Sequence, residues 1–353
     1  MALSSWGAVV GNVLLFFLVL GLAATVEYDA FARSMRSRGL LVGVVAQFAF
    51  LPFMGFVVAK TMFDDKPELG IPLIITASSP GGSYSNWWTS LFNGDLSLSV
   101  AMTTVSSVLS VGFLPLNLYV YMKWAYPHGT AISVKWAGLF VSIGVVISAI
   151  CTGLTLGSRF PNSRKPLSWV GNCFGVLLVL LGFFFSSNSS SPIWSRGWKF
   201  YLGLTVPCVA GMVLSLAWAR QMRLEKPQAL AVAIEVVYQN TAIALAIILS
   251  SFEKDASCVN HGGSDCDIVG VAAGVPTFYQ VVQVVSLGVL CVICHHIGWT
   301  YAPKGTPLLR AITANFQPSS IVQNNQFSAR DLEIARDGRG HELGNVGRDA
   351  APA

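Results

Sequence analysis

Apolar residues run through this chain in long, nearly unbroken stretches, not at the alternating spacing of a half-buried strand. Nine such windows can be drawn, at roughly 7–26, 39–60, 69–92, 96–122, 132–157, 167–185, 199–219, 228–252 and 271–300. Each approaches the roughly 20 residues that a helix needs to cross a hydrocarbon core about 30 Å thick. A β-barrel would instead show segments of about ten residues with alternating polarity. The pattern predicts an all-α integral membrane protein with nine transmembrane helices and its two ends on opposite faces.

Two windows carry polar interruptions. In "SSPGGSYSN", residues 78–86, Pro80 cannot continue a hydrogen-bond ladder, and Gly81 and Gly82 let the chain turn without side-chain clashes. Ser83, Ser85 and Asn86 bring side-chain oxygens to the gap. The second interruption is "EVVYQN", residues 235–240. Free backbone groups are tolerated at membrane depth only where they line a site, so each break reads as a binding device. Carbonyl-rich half-helix ends suit a cation such as Na⁺, and amide-rich ends suit an anion. Residues 39–122 and 199–301 each hold three windows with the interruption in the second. Three spans per half would set the halves in opposite membrane orientation, the mark of a transporter built from inverted repeats.

Glu235 is the one acidic residue deep in an apolar window. A charge at mid-bilayer costs at least about 2.5–3.5 kcal/mol unless compensated. No Lys or Arg lies inside a window to pair with it, so a bound cation is the simplest partner. Ser99 and Thr103 stand four residues apart, on one helix face. Taken alone, such hydroxyls more often bond back to their own helix, and Gln47 alone would be an interhelical hydrogen-bonder.

Composition agrees with the patterning: 53% of residues are hydrophobic and 11% charged, with mean hydropathy +0.60, far from a soluble domain. The net charge of +5 is spread over separate loops, so it reads as membrane topology and implies no nucleic-acid partner. Arg33, Arg36, Arg38, Arg159, Arg164, Lys165, Arg220, Arg223, Lys226, Lys304 and Arg310 fall on one side. Lys60, Lys66, Lys123, Lys135, Arg196, Lys199 and Lys254 form the smaller set on the other. Basic residues favour the cytoplasm, which puts the N-terminus outside and the C-terminus inside. Residues 1–6 carry no Lys or Arg, so the first window reads as a helix and not as a cleaved leader. Residues 304–353 are polar, Gly-rich and of mixed charge, which predicts a disordered cytoplasmic tail.

Cys151, Cys173, Cys208, Cys291 and Cys294 lie in apolar windows and read as small buried hydrophobes. Cys258 and Cys266 flank "VNHGGSD" in a loop placed outside, where they are either a disulfide or two independent thiols. "CVICHH" at 291–296 matches a haem-attachment spacing but sits in a lipid-embedded helix, so it is set aside. Asn188-Ser189-Ser190 is a candidate glycosylation sequon on the outer side.

The stretches "QFAFLPFMGF", "SSPGGSYSNWWTSLFNGDLSLSVAMTTVSSVLSVGFLPLNLYVY" and "EVVYQNTAIALAII" resemble the sodium/bile acid symporter family, the animal type in particular. The resemblance covers about residues 10–300. It implies a transmembrane domain over 1–303, with an inverted-repeat core (39–122 and 199–301) whose two broken helices cross. The windows at 7–26, 132–157 and 167–185 would form a panel beside it. It also implies a first Na⁺ site from Ser85, Asn86, Ser99, Thr103 and Glu235, and a second from Gln47, Glu235, Gln239 and backbone carbonyls near Val236 and Tyr238. All are oxygen ligands, as a hard cation requires. Val237 and Tyr238 stand where the family usually has Gly and Met, which bears on the backbone path at the second site.

By the same resemblance the substrate is an organic anion, a bile acid or another sulfonated or sulfated steroid-like amphipath. Ser83 and Asn240 are the polar groups expected to meet it. About two Na⁺ would move with each anion at a plasma-membrane location, with no organic cofactor. Small carboxylates, or ligand binding without flux in a sensor, are the alternatives. A channel would want a continuous polar pore, and an enzyme a catalytic set that the sequence does not contain.

Overall fold

The structure, a computed structural model, describes residues 2–24, 37–82, 84–127, 136–187, 189, 191–252, 268–314 and 316. Among these residues the fold is all-helical. Helix α1 is Ala2–Ala24. Arg38–Val45 (α2) passes through a π-helical turn, Ala46–Phe50, into Leu51–Met62 (α3). Pro67–Ala77 (α4) and Tyr84–Leu91 (α5) are the halves of one interrupted helix. Leu96–Ala125 (α6), Trp136–Arg159 (α7), Arg164–Ser187 (α8) and Trp198–Gln221 (α9) follow. A second interrupted helix comprises Lys226–Val237 (α10) and Thr241–Ser251 (α11). Ile268–His296 (α12) and the short Leu308–Thr313 (α13) complete the order.

By length and composition, six described segments are long and apolar enough to cross a membrane: Arg38–Met62, Leu96–Ala125, Phe140–Arg159, Trp169–Ser187, Trp198–Gln221 and Ile268–His296. The other three predicted windows are α1, with its described apolar stretch Val9–Gly21, and the two interrupted helices. At 11 residues, α4 and α11 reach only about 16 Å each, about half of a hydrocarbon core.

Burial separates the elements into two kinds. Every residue from Ala229 to Val237 in α10 and from Thr241 to Leu249 in α11 is buried, as is Leu69 to Ala77 in α4. A helix that is apolar all round belongs in the interior, and these half-helices are the interior. By contrast α7 and α8 present Phe140, Val141, Ile147, Trp169, Val176, Leu177 and Leu180 to the outside. In a membrane-embedded chain, so large an apolar surface faces lipid. Helix α1 packs against α7, α8 and α11. A polar cluster joins α1 and α7 to the end of α11: Ser142 Oγ donates to Asn12 Oδ1 at 2.9 Å, and Asn12 Nδ2 donates to Ser250 Oγ at 3.2 Å.

The start of the predicted tail is ordered. Asn93, in the left-handed region at φ 54°, accepts at its carbonyl from Tyr301 N at 2.8 Å. Its side chain donates to Ala311 O at 2.7 Å and accepts from Phe316 N at 2.8 Å. One short polar side chain that tolerates positive φ thus anchors Tyr301, Ala311 and Phe316 to the end of α5, so the expectation of disorder from residue 304 does not hold for 304–314. Residues 317–353, Ser83, Asn188, Cys258 and Cys266 lie outside the described residues, and with them the tail proper, one substrate residue, the sequon and the candidate disulfide.

Candidate functional site

The two interruptions meet. Gly81 and Gln239 form an antiparallel bridge, Gly82 N donates to Tyr238 O at 2.8 Å, and Asn240 N donates to Pro80 O at 2.9 Å. Each broken segment therefore satisfies backbone groups of the other, which is how non-helical chain survives at membrane depth. Pro80 has no N–H to satisfy. The fourth contact comes from α6, where Ser106 Oγ accepts from Gly81 N at 3.3 Å.

One carboxylate lies at this crossing. Glu235, in the last turn of α10, is fully buried. Its Oε2 accepts from Ser85 Oγ at 2.6 Å and from Ser99 Oγ at 3.4 Å. Ser99 Oγ is also 2.8 Å from Asn86 Oδ1, and Thr103 Oγ1 lies 3.3 Å from the same oxygen and 3.4 Å from Ser85 Oγ. Ser85 and Asn86 occupy the first turn of α5, while Ser99 and Thr103 share the face of α6 that their spacing predicts. Three elements thus converge oxygens from all five residues expected at the first cation site. Thr103 Oγ1 also bonds back to Ser99 O at 3.0 Å, so local back-bonding and the shared cluster coexist in one hydroxyl.

The residues expected at a second site also adjoin Glu235. Glu235 Oε1, Gln239 Oε1 and Gln47 Nε2 are buried and without a hydrogen-bond partner. An unpartnered buried polar atom costs about 1–3 kcal/mol. Gln47 and Glu235 face each other over Gly81: a Cβ there would overlap Glu235 Oε1 and lie 3.4 Å from Gln47 Nε2. Val236 O accepts from Gln239 Nε2 at 2.7 Å, and Tyr238 O is bonded to Gly82 N. Each carbonyl keeps a second lone pair. No Lys, Arg or His among the described residues pairs with Glu235; the ion pair these residues contain is Lys60–Asp64 at 2.8 Å.

Gln47 is aimed by a feature the hydrophobic pattern does not reveal. It sits in the π-helical turn, where one extra residue per turn rotates the side chains and loosens the backbone ladder. Asn117 Nδ2, from α6, donates to Phe48 O at 2.9 Å in that turn. Replacing Asn117 by Ala removes this bond and is expected to destabilise the protein by about 1–2 kcal/mol, which melting curves of the two proteins check; an unchanged melting temperature would rule out a structural role for the bond.

An open cleft reaches Asn86 and Thr103 of this cluster. Asn86, Thr103, Thr104 and Ser107 are its polar wall, and Val19, Ala23, Ile150 and Leu154 from α1 and α7 its apolar one. Asn240, expected to meet substrate, caps α11 by accepting from Ile243 N at 3.1 Å. It lines a second cleft, with Tyr84, Tyr238 and Gln280.

The chain matches the Sodium Bile acid symporter family over residues 12–190. It belongs to that family. It is 28% identical to the ileal sodium/bile acid cotransporter of Oryctolagus cuniculus over 245 residues, 69% of this chain and 70% of that one. It is 32% identical to the P3 protein of Homo sapiens over 232 residues, 65% of this chain and 48% of the other. The hepatic sodium/bile acid cotransporter of Rattus norvegicus is 33% identical over 150 residues, 42% of this chain and 41% of its own. Transport of the sodium/bile acid symporter type, in a multi-pass membrane protein, is the activity these similarities indicate.

In this symporter-family chain the sequence pattern misses several site residues. Ser106 continues the stripe of Ser99 and Thr103 at the next helical spacing, and extending the same-face test by one turn finds it. Gln280 and Gln283, on α12, carry no motif. Gln283 Oε1 accepts from Gln239 N at 3.1 Å, and its Nε2 donates to Gln239 O at 3.2 Å, so a side chain clamps the backbone of the second break.

Proposed function

We propose that this protein is a Na⁺-coupled symporter of organic anions that moves about two Na⁺ with each anion. The observation that carries this reading is the convergence of Ser85, Asn86, Ser99 and Thr103 on the buried Glu235 carboxylate, with the unpartnered Glu235, Gln239 and Gln47 atoms beside it. The first cluster takes one Na⁺. Gln47, Glu235, Gln239 and the Val236 and Tyr238 carbonyls take the other, with the Gln47 amide turned to present its oxygen, since amide orientation follows the bonding partner. Sodium here is cargo, drawn to a site whose single negative charge is otherwise uncompensated.

The charge balance is coherent. One carboxylate and two Na⁺ leave +1, which an anion neutralises. Inward movement then carries +1 and gains about 2.3 kcal/mol per 100 mV.

In this reading nine spans cross the membrane with the N-terminus outside, and the two broken helices belong to inverted repeats. Helices α1, α7 and α8 form the panel, and the remainder forms the core. The Asn12–Ser142–Ser250 cluster closes panel on core at one end, and the first cleft opens between α1, α7 and α6 towards the other. That asymmetry supports alternating access. A mostly apolar cleft with a polar end at Asn86 and Thr103 suits an amphipathic anion such as a bile acid or a sulfated steroid, with Ser83 and Asn240 near its charged group. The names of the cotransporter relatives point to the same substrate class, and in this reading the protein works at the plasma membrane.

Uptake of radiolabelled taurocholate into cells expressing the chain tests the reading. The expected result is uptake in Na⁺ medium and none in choline medium, with a sigmoidal Na⁺ dependence whose Hill coefficient approaches about 2. Equal uptake in the two media would refute sodium coupling.

A further inference from the structure

Tyr238 stands at the second break and lines the second cleft together with Asn240 and Gln280. There its ring meets Tyr84 edge to face, with centroids 6.3 Å apart. Gln280 Nε2 donates to the Tyr238 hydroxyl at 2.7 Å. Gln280 Oε1 in turn accepts from Thr241 Oγ1 at 2.6 Å and from Gln283 Nε2 at 2.8 Å. The order of donors fixes the roles. With Gln280 donating, the Tyr238 oxygen is the acceptor, and its O–H is the donor the network leaves over. Leu18, Gly175 and Val179 form the facing apolar wall, and Asn240 lies at the same cleft.

The chain therefore holds a buried hydroxyl donor, set by a chain of side-chain bonds, beside the end of α11 where the anion is expected. A site built to hydrogen-bond a group on its ligand rejects the analogue lacking that group more strongly than an apolar pocket rejects an added one, because the analogue leaves the buried donor unpaired. We propose that the Tyr238–Gln280 pair is a specificity element that selects organic anions carrying a second oxygen, a hydroxyl or a keto group, in addition to the charged group. This rests on the reading of the protein as an anion symporter and deepens it.

Gln283 bonds Gln280 and, through two further bonds, the backbone of Gln239. The specificity wall and the second cation site thus share one rigid loop.

The test is ligand-induced thermal stabilisation of the purified full chain in Na⁺ buffer, titrated with two matched pairs. Taurocholate is set against a taurine-conjugated cholanic acid without ring hydroxyls, and lactate against propionate. The expected result is that, in at least one pair, the wild type binds the oxygenated anion at least about tenfold more tightly. Tyr238→Phe, which keeps the ring and its packing, narrows that ratio to about twofold by weakening the oxygenated member alone, and Gln280→Leu does the same. Equal affinity within both pairs, no stabilisation by any of the four anions, or a Tyr238→Phe effect equal on both members would each overturn the proposal. Stabilisation by Na⁺ alone is measured alongside. If Na⁺ stabilises while the pairs are not distinguished, selection by Tyr238 is wrong and sodium coupling stands. If Na⁺ also fails to stabilise, the symporter reading falls with it.

Discussion

Cells expressing Glu235→Gln are expected to take up no taurocholate above the choline background, while the variant reaches the membrane at wild-type levels. The carboxylate is common to both proposed cation sites, so its loss removes the one acidic side chain that, among the described residues, adjoins either. A lone charge in the membrane interior costs at least about 2.5–3.5 kcal/mol, which converts to a roughly 70- to 350-fold weaker Na⁺ affinity. The folded protein loses nothing comparable. Glutamine keeps an oxygen to accept from Ser85, now 2.6 Å from Glu235, and eliminates an uncompensated buried anion, whose removal is often neutral or stabilising. The Na⁺-free melting temperature should therefore hold or rise, while the increase on adding Na⁺ disappears. Sodium-dependent uptake within a few fold of wild type would show that Glu235 is a packing residue.

Gly81→Ala should be nearly as damaging, by a different route. The backbone at Gly81 is not left-handed, so no conformational strain is involved, and the effect is steric. The new Cβ would overlap Glu235 Oε1 and lie 2.9 Å from its carboxyl carbon. The chain cannot retreat, because the bridge to Gln239 and the bond from Gly81 N to Ser106 Oγ hold it in place. The carboxylate must swing away from its place beside Gln47. Overpacking of this kind costs about 1–3 kcal/mol, so the half-saturating Na⁺ concentration should rise roughly 5- to 150-fold.

The neighbouring Gly82→Ala provides the contrast. Its nearest contacts would be the Tyr238 ring at 2.9 Å and Gln239 O at 3.3 Å, with no Glu235 atom among them, so it should disturb anion selection more than Na⁺ dependence. Measuring Na⁺ dependence and anion preference for both variants separates the two. If Gly82→Ala raised the Na⁺ requirement more than Gly81→Ala, the assignment of Gly81 to the cation site would be lost.

The hydrophobic pattern was sufficient to predict an all-helical membrane chain, because a lipid solvent leaves the backbone few other ways to satisfy its hydrogen bonds. It also located both interruptions. Proline and consecutive glycines break a ladder wherever they occur, and an unpaired acid in an apolar window is costly wherever it sits. These are local or compositional facts, and they named Glu235, Ser85 and Asn86, while the resemblance supplied the grouping with Gln47 and Gln239. Tertiary packing decided the rest. The π-helical turn that aims Gln47 is held by Asn117, 69 residues away. Asn93 orders a segment that composition marks as tail, and it does so through residues more than 200 positions distant. The direction of the Tyr238 side chain depends on Gln280, on another helix. A polar side chain inside an apolar span can bond to its own helix or to a neighbour, and periodicity is the same in both cases. Only the packing of the helices settles which partner it meets.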